Sequence, residues 1–147
     1  MNIMMSKLLK ISFLGLICFW LTSCEKDKVV GPGELPTAAT KYISDHFPDH
    51  SILQVKKELD NLRKSFEVIL SDGYKLEFNK SGEIRGAEGS KALPNSVIPV
   101  KILEYVQANF EGQGIRDWEL DDNQQDVTLM NGIEIVFDKN GNFLRLD

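Results

Sequence analysis

The residues of this 147-residue chain whose types could do chemistry fall into a few groups, and His46 and His50 come first. They are four apart and flanked by Asp45 and Asp49. On one helix, that spacing would set two imidazoles on one face, where a transition metal could bridge them. Pro48 lies between them, however, and a proline removes a helical donor and pushes its predecessor out of the helical region. No third ligand is nearby in sequence, so the pair reads as a polar helix end entering a loop, and no metal site is expected. Asp121-Asp122-Asn123 shares letters with a calcium loop. That loop needs acids at alternate positions, a central glycine and a later glutamate, and none follows here. A hairpin turn is the simpler reading. Asp138-Lys139-Asn140-Gly141 has a close counterpart in Asn79-Lys80-Ser81-Gly82, and a turn explains both. Nucleophilic catalysis finds no support: the cysteines are Cys18 and Cys24, and neither histidine accompanies a glycine-elbow serine. No catalytic residues and no cofactor are expected, and the chain reads as a binding protein rather than an enzyme.

Cys24 is the one residue with a specific chemistry. Lys7 and Lys10 precede an apolar run from Ile11 to Leu21, interrupted only by Ser12. The run is about half the length a membrane-spanning helix needs and has the charge and position of a secretory signal. It ends Leu21-Thr22-Ser23-Cys24, which resembles the lipobox of bacterial lipoproteins. That resemblance implies cleavage after residue 23 and attachment of lipid to the Cys24 thiol. Residues 24–34 then read as a charged, Gly/Pro-broken tether. The expected location is the cell envelope, with the chain held to a membrane, the outer one by preference, through its N-terminal lipid and facing the periplasm or the surface.

Charge narrows the partners. The whole chain carries a formal charge of -5, and without Lys7 and Lys10 the basic residues fall from 17 to 15 against 22 acids. Such a surface repels phosphate backbones, so no nucleic-acid partner is expected. With no cysteine after Cys24, stability must come from an apolar core.

Residues 35–147 repeat themselves. Leu35-Pro36, Tyr42-Ile43 and Phe47 match Ile98-Pro99, Tyr105-Val106 and Phe110 at an offset of 63. Residues 73–82 match residues 132–141 at an offset of 59, so a four-residue deletion falls between Ile52/Ile115 and Val68/Val127. The two copies run over 35–88 and 93–147. Each reads as a helix followed by a strand meander. Ala39, Tyr42, Ile43 and Phe47 recur at helical spacing in the first copy, and Leu103, Val106 and Phe110 in the second, where Ser96 is the expected N-cap. Phe66, Val68, Leu70 and Tyr74, Leu76, Phe78 alternate with polar residues, as half-buried strands do. Asp72-Gly73 and Asn131-Gly132 are hairpin signals whose turn positions both call for positive φ. The predicted fold is α+β: two helix-plus-antiparallel-meander repeats, with the helices on one face of an antiparallel sheet of up to eight strands.

Leu-Pro, Tyr-Ile-x-x-His-Phe-Pro, an alternating strand and Asp-Gly-x-x-Leu-Glu-Phe-x-x-x-Gly together resemble the PepSY-like, or β-lactamase-inhibitor-like, family of small bacterial lipoproteins. The resemblance spans about 35–147. It implies two helix-plus-sheet repeats with an open outer face, and no catalytic residues. That face should carry Gln54, Lys56, Glu58, Glu67, Ile69, Lys75 and Glu77 from the first copy. The second should contribute Asp117, Glu119, Asp126, Thr128, Met130, Glu134, Val136 and Leu144. Met130, Val136, Leu144 and Ile69 are apolar where water is expected, which makes them the candidate contacts for a partner. Trp118 falls on the inward side and reads as core. The expected function is capture or inhibition of an envelope protein or peptide. The rival readings are an accessory lipoprotein of a larger assembly, or a small-ligand carrier with an apolar cavity between helices and sheet.

Overall fold

The computed structural model describes residues 27–59 and 64–147. The signal run and Cys24 lie outside the described residues. Among the described residues, nine strands form one antiparallel sheet in strict sequence order: β1 Lys28–Val30, β2 Ile52–Leu59, β3 Lys64–Leu70, β4 Lys75–Asn79, β5 Ile84–Glu88, β6 Ile115–Leu120, β7 Gln124–Leu129, β8 Glu134–Asp138 and β9 Phe143–Leu146. Among the same residues two α-helices, α1 Thr37–His46 and α2 Val100–Asn109, complete an α+β architecture. The sheet exceeds the eight strands expected because Lys28–Val30, read from sequence as tether, pairs with β2. Three residues with two adjacent valines carry too little periodicity to announce a strand, and the exposed edge of β2 supplies the missing partner.

Ten-residue helices are marginal in isolation and are held by what they bury. In α1, Ala39 and Ile43 are buried, with Phe47 just beyond its end, and the Tyr42 ring meets Phe78 edge-on at 5.8 Å. In α2, Ile102 and Val106 are buried, and Tyr105 meets Phe137 edge-on at 5.3 Å. Ile102, outside the expected stripe, is its most deeply buried member. Ser96 is not the N-cap: α2 begins at Val100, and the Pro99 carbonyl accepts the first helical hydrogen bond, from Leu103 N–H at 3.0 Å. Proline sets its own φ for that position, and Pro36 does the same for α1. Ser96 sits instead in a short 3₁₀ turn, its hydroxyl 2.9 Å from His46 Nδ1.

The inward faces of the strands form one core with the helices. Val55, Val68, Leu70, Leu76, Phe78, Trp118, Val127, Leu129, Ile135 and Phe137 all belong to it. Asp72-Gly73 turns between β3 and β4 with both φ positive, at 65° and 80°. Asn131-Gly132 does so only at Gly132, φ 88°. There Gly132 N–H bonds the Leu129 carbonyl and Leu129 N–H the Ile133 carbonyl, a tight turn closed by a left-handed glycine. The same bond pair recurs at Asn79–Glu83 and Asp138–Asn142. Asp121–Asn123 is a tight turn between β6 and β7, as expected.

Candidate functional site

Strand alternation sends every second side chain to the face opposite the helices, and the register aligns those side chains in rows. One row crosses all nine strands: Val29, Lys56, Glu67, Glu77, Gly86, Glu119, Asp126, Val136, Arg145. Beside it runs a second, from Gln54 through Ile69, Lys75, Glu88, Asp117 and Thr128 to Glu134. The two rows hold seven carboxylates against three cations. Each cation is already engaged: Lys56 Nζ lies 2.7 Å from Glu67 Oε1, Lys75 Nζ 2.7 Å from Glu88 Oε2, and Arg145 Nε 2.7 Å from Asp147 Oδ1. Among the described residues, Asp117 and Glu119 have no ion-pair partner, so the centre of the face is negative.

Gly86 makes a gap in that centre. A Cβ placed there would meet only ordinary contacts, the nearest 3.6 Å away at the Trp118 carbonyl, so packing does not demand a glycine. Its missing side chain leaves a notch of about 60 Å³ walled by Lys75, Glu77, Glu88, Asp117 and Glu119. A shallow depression of about 300 Å³ adjoins it, sharing Asp117 and Glu119 and adding Asp126, Thr128, Glu134, Val136 and Asp147. The electrostatics follow the crowding. Burial raises the Asp117 carboxyl above its ordinary value, and Glu88 and Glu119 raise it further. Glu77 is raised by burial and then by Glu119, Glu58 and Glu67, with Lys75 opposing. Carboxylates that repel one another and lose water are stabilised by a cation from outside.

The four apolar candidates do not meet. Ile69 is half-buried in the second row on β3, five strands from Val136, or about 24 Å at the usual strand spacing of about 4.8 Å. Val136 is on the outer face but only 2% exposed, flanked in its row by Asp126 and Arg145. Met130 follows β7 at one end of the face, where its N–H bonds the Gly114 carbonyl, and Leu144 is the extra residue of a bulge in β9 near the other. Both are exposed, at 43% and 52%. Sequence reasoning missed Gly86, Glu88, Arg145 and Asp147. The signal available was their repeat position: Gly86 and Glu88 stand 59 before Arg145 and Asp147. Ile-Arg-Gly-Ala-Glu alternates too weakly to declare a strand by itself.

The histidines diverge. His46 ends α1 against Ser96 and stacks on Tyr42, whereas His50 packs edge-on against Phe47 and Tyr74. Among the described residues, no group of three or more His, Cys, Asp or Glu side chains is placed to hold a metal ion.

An open antiparallel sheet with two Leu/Ile-Pro helices on one face is what the sequence resemblance implied, and comparison agrees. The family described as "Putative beta-lactamase-inhibitor-like, PepSY-like" matches residues 16–62 and 64–145. The chain belongs to the PepSY-like family. Three solved structures superpose closely on this PepSY-like chain. A "putative periplasmic protein" from Bacteroides vulgatus is 35% identical, with a TM-score of 0.80 over 84% of this chain and 98% of that one. A "putative calcium-regulated periplasmic protein" from Bacteroides thetaiotaomicron is 33% identical, with a TM-score of 0.79 over 82% and 96%. A second Bacteroides vulgatus protein, described as periplasmic and of unknown function, is 35% identical, with a TM-score of 0.78 over 83% and 99%. Among curated proteins none matches the chain.

Proposed function

We propose that this PepSY-like chain is a non-catalytic, lipid-anchored binding protein of the cell envelope, and that its acidic sheet face captures a cationic segment of another envelope protein. The observation that carries this reading is the band formed by Glu77, Glu88, Asp117, Glu119 and Asp126 across mid-sheet, opened by Gly86 and short of cations. Lysine or arginine side chains entering the notch relieve the repulsion that raises the Asp117 and Glu77 carboxyls. Three relatives described as periplasmic, and the expected lipid at Cys24, support the location. The inhibitor-like family description supports a protein partner.

In this reading the band lies where two duplicated units meet. The first helix and β2–β5 form one unit, the second helix and β6–β9 the other, and β5–β6 pairing joins them. Ile69, Met130 and Leu144 then act as apolar contacts at the rim, and Val136, only 2% exposed, stays out of reach of the partner. An accessory role in a larger assembly remains the rival.

The test is capture from envelope extracts by the lipid-anchored chain in vesicles. The parent runs beside Glu119→Lys/Asp126→Lys and beside Met130→Asp/Leu144→Asp, with a lysine-rich peptide as the defined probe. Peptide binding that falls with salt and is lost in the lysine variant supports the reading. Equal capture by parent and lysine variant overturns it.

A further inference from the structure

The sheet ends on β9, and no strand covers the far side of β9 among the described residues. Its residues are all exposed, and Phe143, Leu144 and Leu146 are 41%, 52% and 53% accessible. Natural edges are guarded by lysine, by proline or by shortness. β9 is short, at four residues, but has neither lysine nor proline, and Phe143 forms an apolar shelf by stacking on Tyr105 at 4.9 Å. The strand in the corresponding place of the first half, β5, is not an edge. It continues into β6 through Gly86–Glu119, Ala87–Trp118 and Glu88–Asp117.

We infer that β9 is a self-association edge, and that a second copy of this chain pairs its own β9 against it in antiparallel fashion. Hydrogen-bond alternation fixes the register. Asp147 N–H donates to the Glu134 carbonyl at 3.1 Å, so the Leu146 N–H and C=O point away from β8, to the free side. A two-fold axis through Leu146 lets the two Leu146 residues exchange both bonds. It also sets Arg145 of each copy opposite Asp147 of the other, on the outer face. The two residues already bond within one chain, at 2.7 and 3.0 Å, so their geometry suits carboxylate–guanidinium pairing. Pairing at Arg145 instead would oppose arginine to arginine, so charge selects the Leu146 axis. The same operation keeps the helices of both copies on one side and joins their acidic faces. The contact is short, and a shared membrane anchor would raise its effective concentration. Asp147 also lines the depression beside the notch, but the crosslink and peptide capture read different contacts, so either proposal can fail alone.

The experiment uses the full chain in its oxidising envelope, with Leu146→Cys. Opposed residues of a hydrogen-bonded antiparallel pair lie about 5.5 Å apart at Cα, within the disulfide range of about 4.4–6.8 Å. The parent chain controls for Cys18 and Cys24, and Leu53→Cys, at a more exposed site, controls for collision. The expected result is a disulfide homodimer from Leu146→Cys alone. Adding Arg145→Asp loses most of it, and the exchange Arg145→Asp/Asp147→Arg restores it. Circular dichroism confirms that each variant is folded. No crosslink, a crosslink indifferent to Arg145→Asp, or a crosslink to a protein of another mass would each overturn the proposal.

Discussion

The indole N–H of Trp118 donates to Gln125 Oε1 at 2.9 Å, a buried hydrogen bond crossing diagonally from β6 to β7. Gln125 is only 5% exposed, and its amide nitrogen reaches back to the carbonyls of Asp138 and Lys139 at 3.4 and 3.3 Å. The first half solves the same position differently. Val55 and Phe66 stand at the matching places, so the large ring comes from the second strand there and from the first strand here. A tryptophan brings a donor into the core, and a buried donor must be matched.

Gln125→Leu therefore leaves the Trp118 N–H unpaired and should cost about 1–3 kcal/mol of stability. Trp118→Phe/Gln125→Leu should cost less than the two single changes added together, as in any coupled pair. Urea titration of the four chains measures both quantities. Additive losses would mean the bond contributes nothing.

Tyr42 presents the reverse case. Its hydroxyl is buried with no hydrogen-bond partner among the described residues, and burial pushes its pKa up to about 12. Tyr42→Phe keeps the ring against Phe78 and removes the unmatched group, so it should be neutral or stabilising by up to about 1 kcal/mol. A clear loss of melting temperature would show that the hydroxyl has a partner in solution.

The crowded carboxylates set a pH dependence. Asp117 and Glu77 have raised pKa values in the folded chain, so protonation favours the folded state. Their contribution is fully present below the ordinary carboxylate range near pH 4 and is lost as pH rises through their raised values. Asp138 and Asp147 are lowered, by bonds from Asn142 and Arg145 respectively, and their contribution is lost only below the ordinary range. Melting temperature should therefore rise as pH falls from neutral toward about 5. Asp117→Asn/Glu77→Gln should raise it at neutral pH and flatten that slope. A parent chain most stable at neutral pH, with an unchanged double variant, contradicts this.

Three turn glycines rank by what surrounds them. At Gly132 a Cβ meets nothing within 4 Å, so Gly132→Ala costs only the strain of a positive φ, about 1–2 kcal/mol. At Gly141 the nearest atom is Lys101 Cβ at 3.1 Å, which must give by a few tenths of an ångström together with its turn of α2. At Gly82 a Cβ would lie 2.8 Å from both Ala39 N and Pro36 Cβ, where the turn after β4 abuts the start of α1. Chemical denaturation of the three alanine variants should order the losses Gly82, Gly141, Gly132. Equal losses would mean the turn does not press on the helix.

Much of this molecule was legible because its signals are local. Phe66-Val68-Leu70 and Tyr74-Leu76-Phe78 alternate with period two, and Leu35-Pro36 and Ile98-Pro99 stand where both helices begin, so strands, helices, the α+β class and the family could be read directly. The outer face could be named residue by residue for the same reason, since alternation alone sends Lys56, Glu67, Glu77, Glu119 and Asp126 to one side. What the residues could not show was which of these stand next to one another. Gly86 becomes a notch only because β5 pairs with β6, thirty-odd residues away, and brings Glu119 and Asp117 beside it. Val136 is apolar by type yet covered, because burial depends on the Asp126 and Arg145 that flank it from neighbouring strands. Lys28–Val30 is a strand only because β2 has a free edge at the right place. Sequence decides what each residue prefers within its own few neighbours. Pairing across strands is a non-local choice made by the whole sheet, and it is there that separate acids became one charged face.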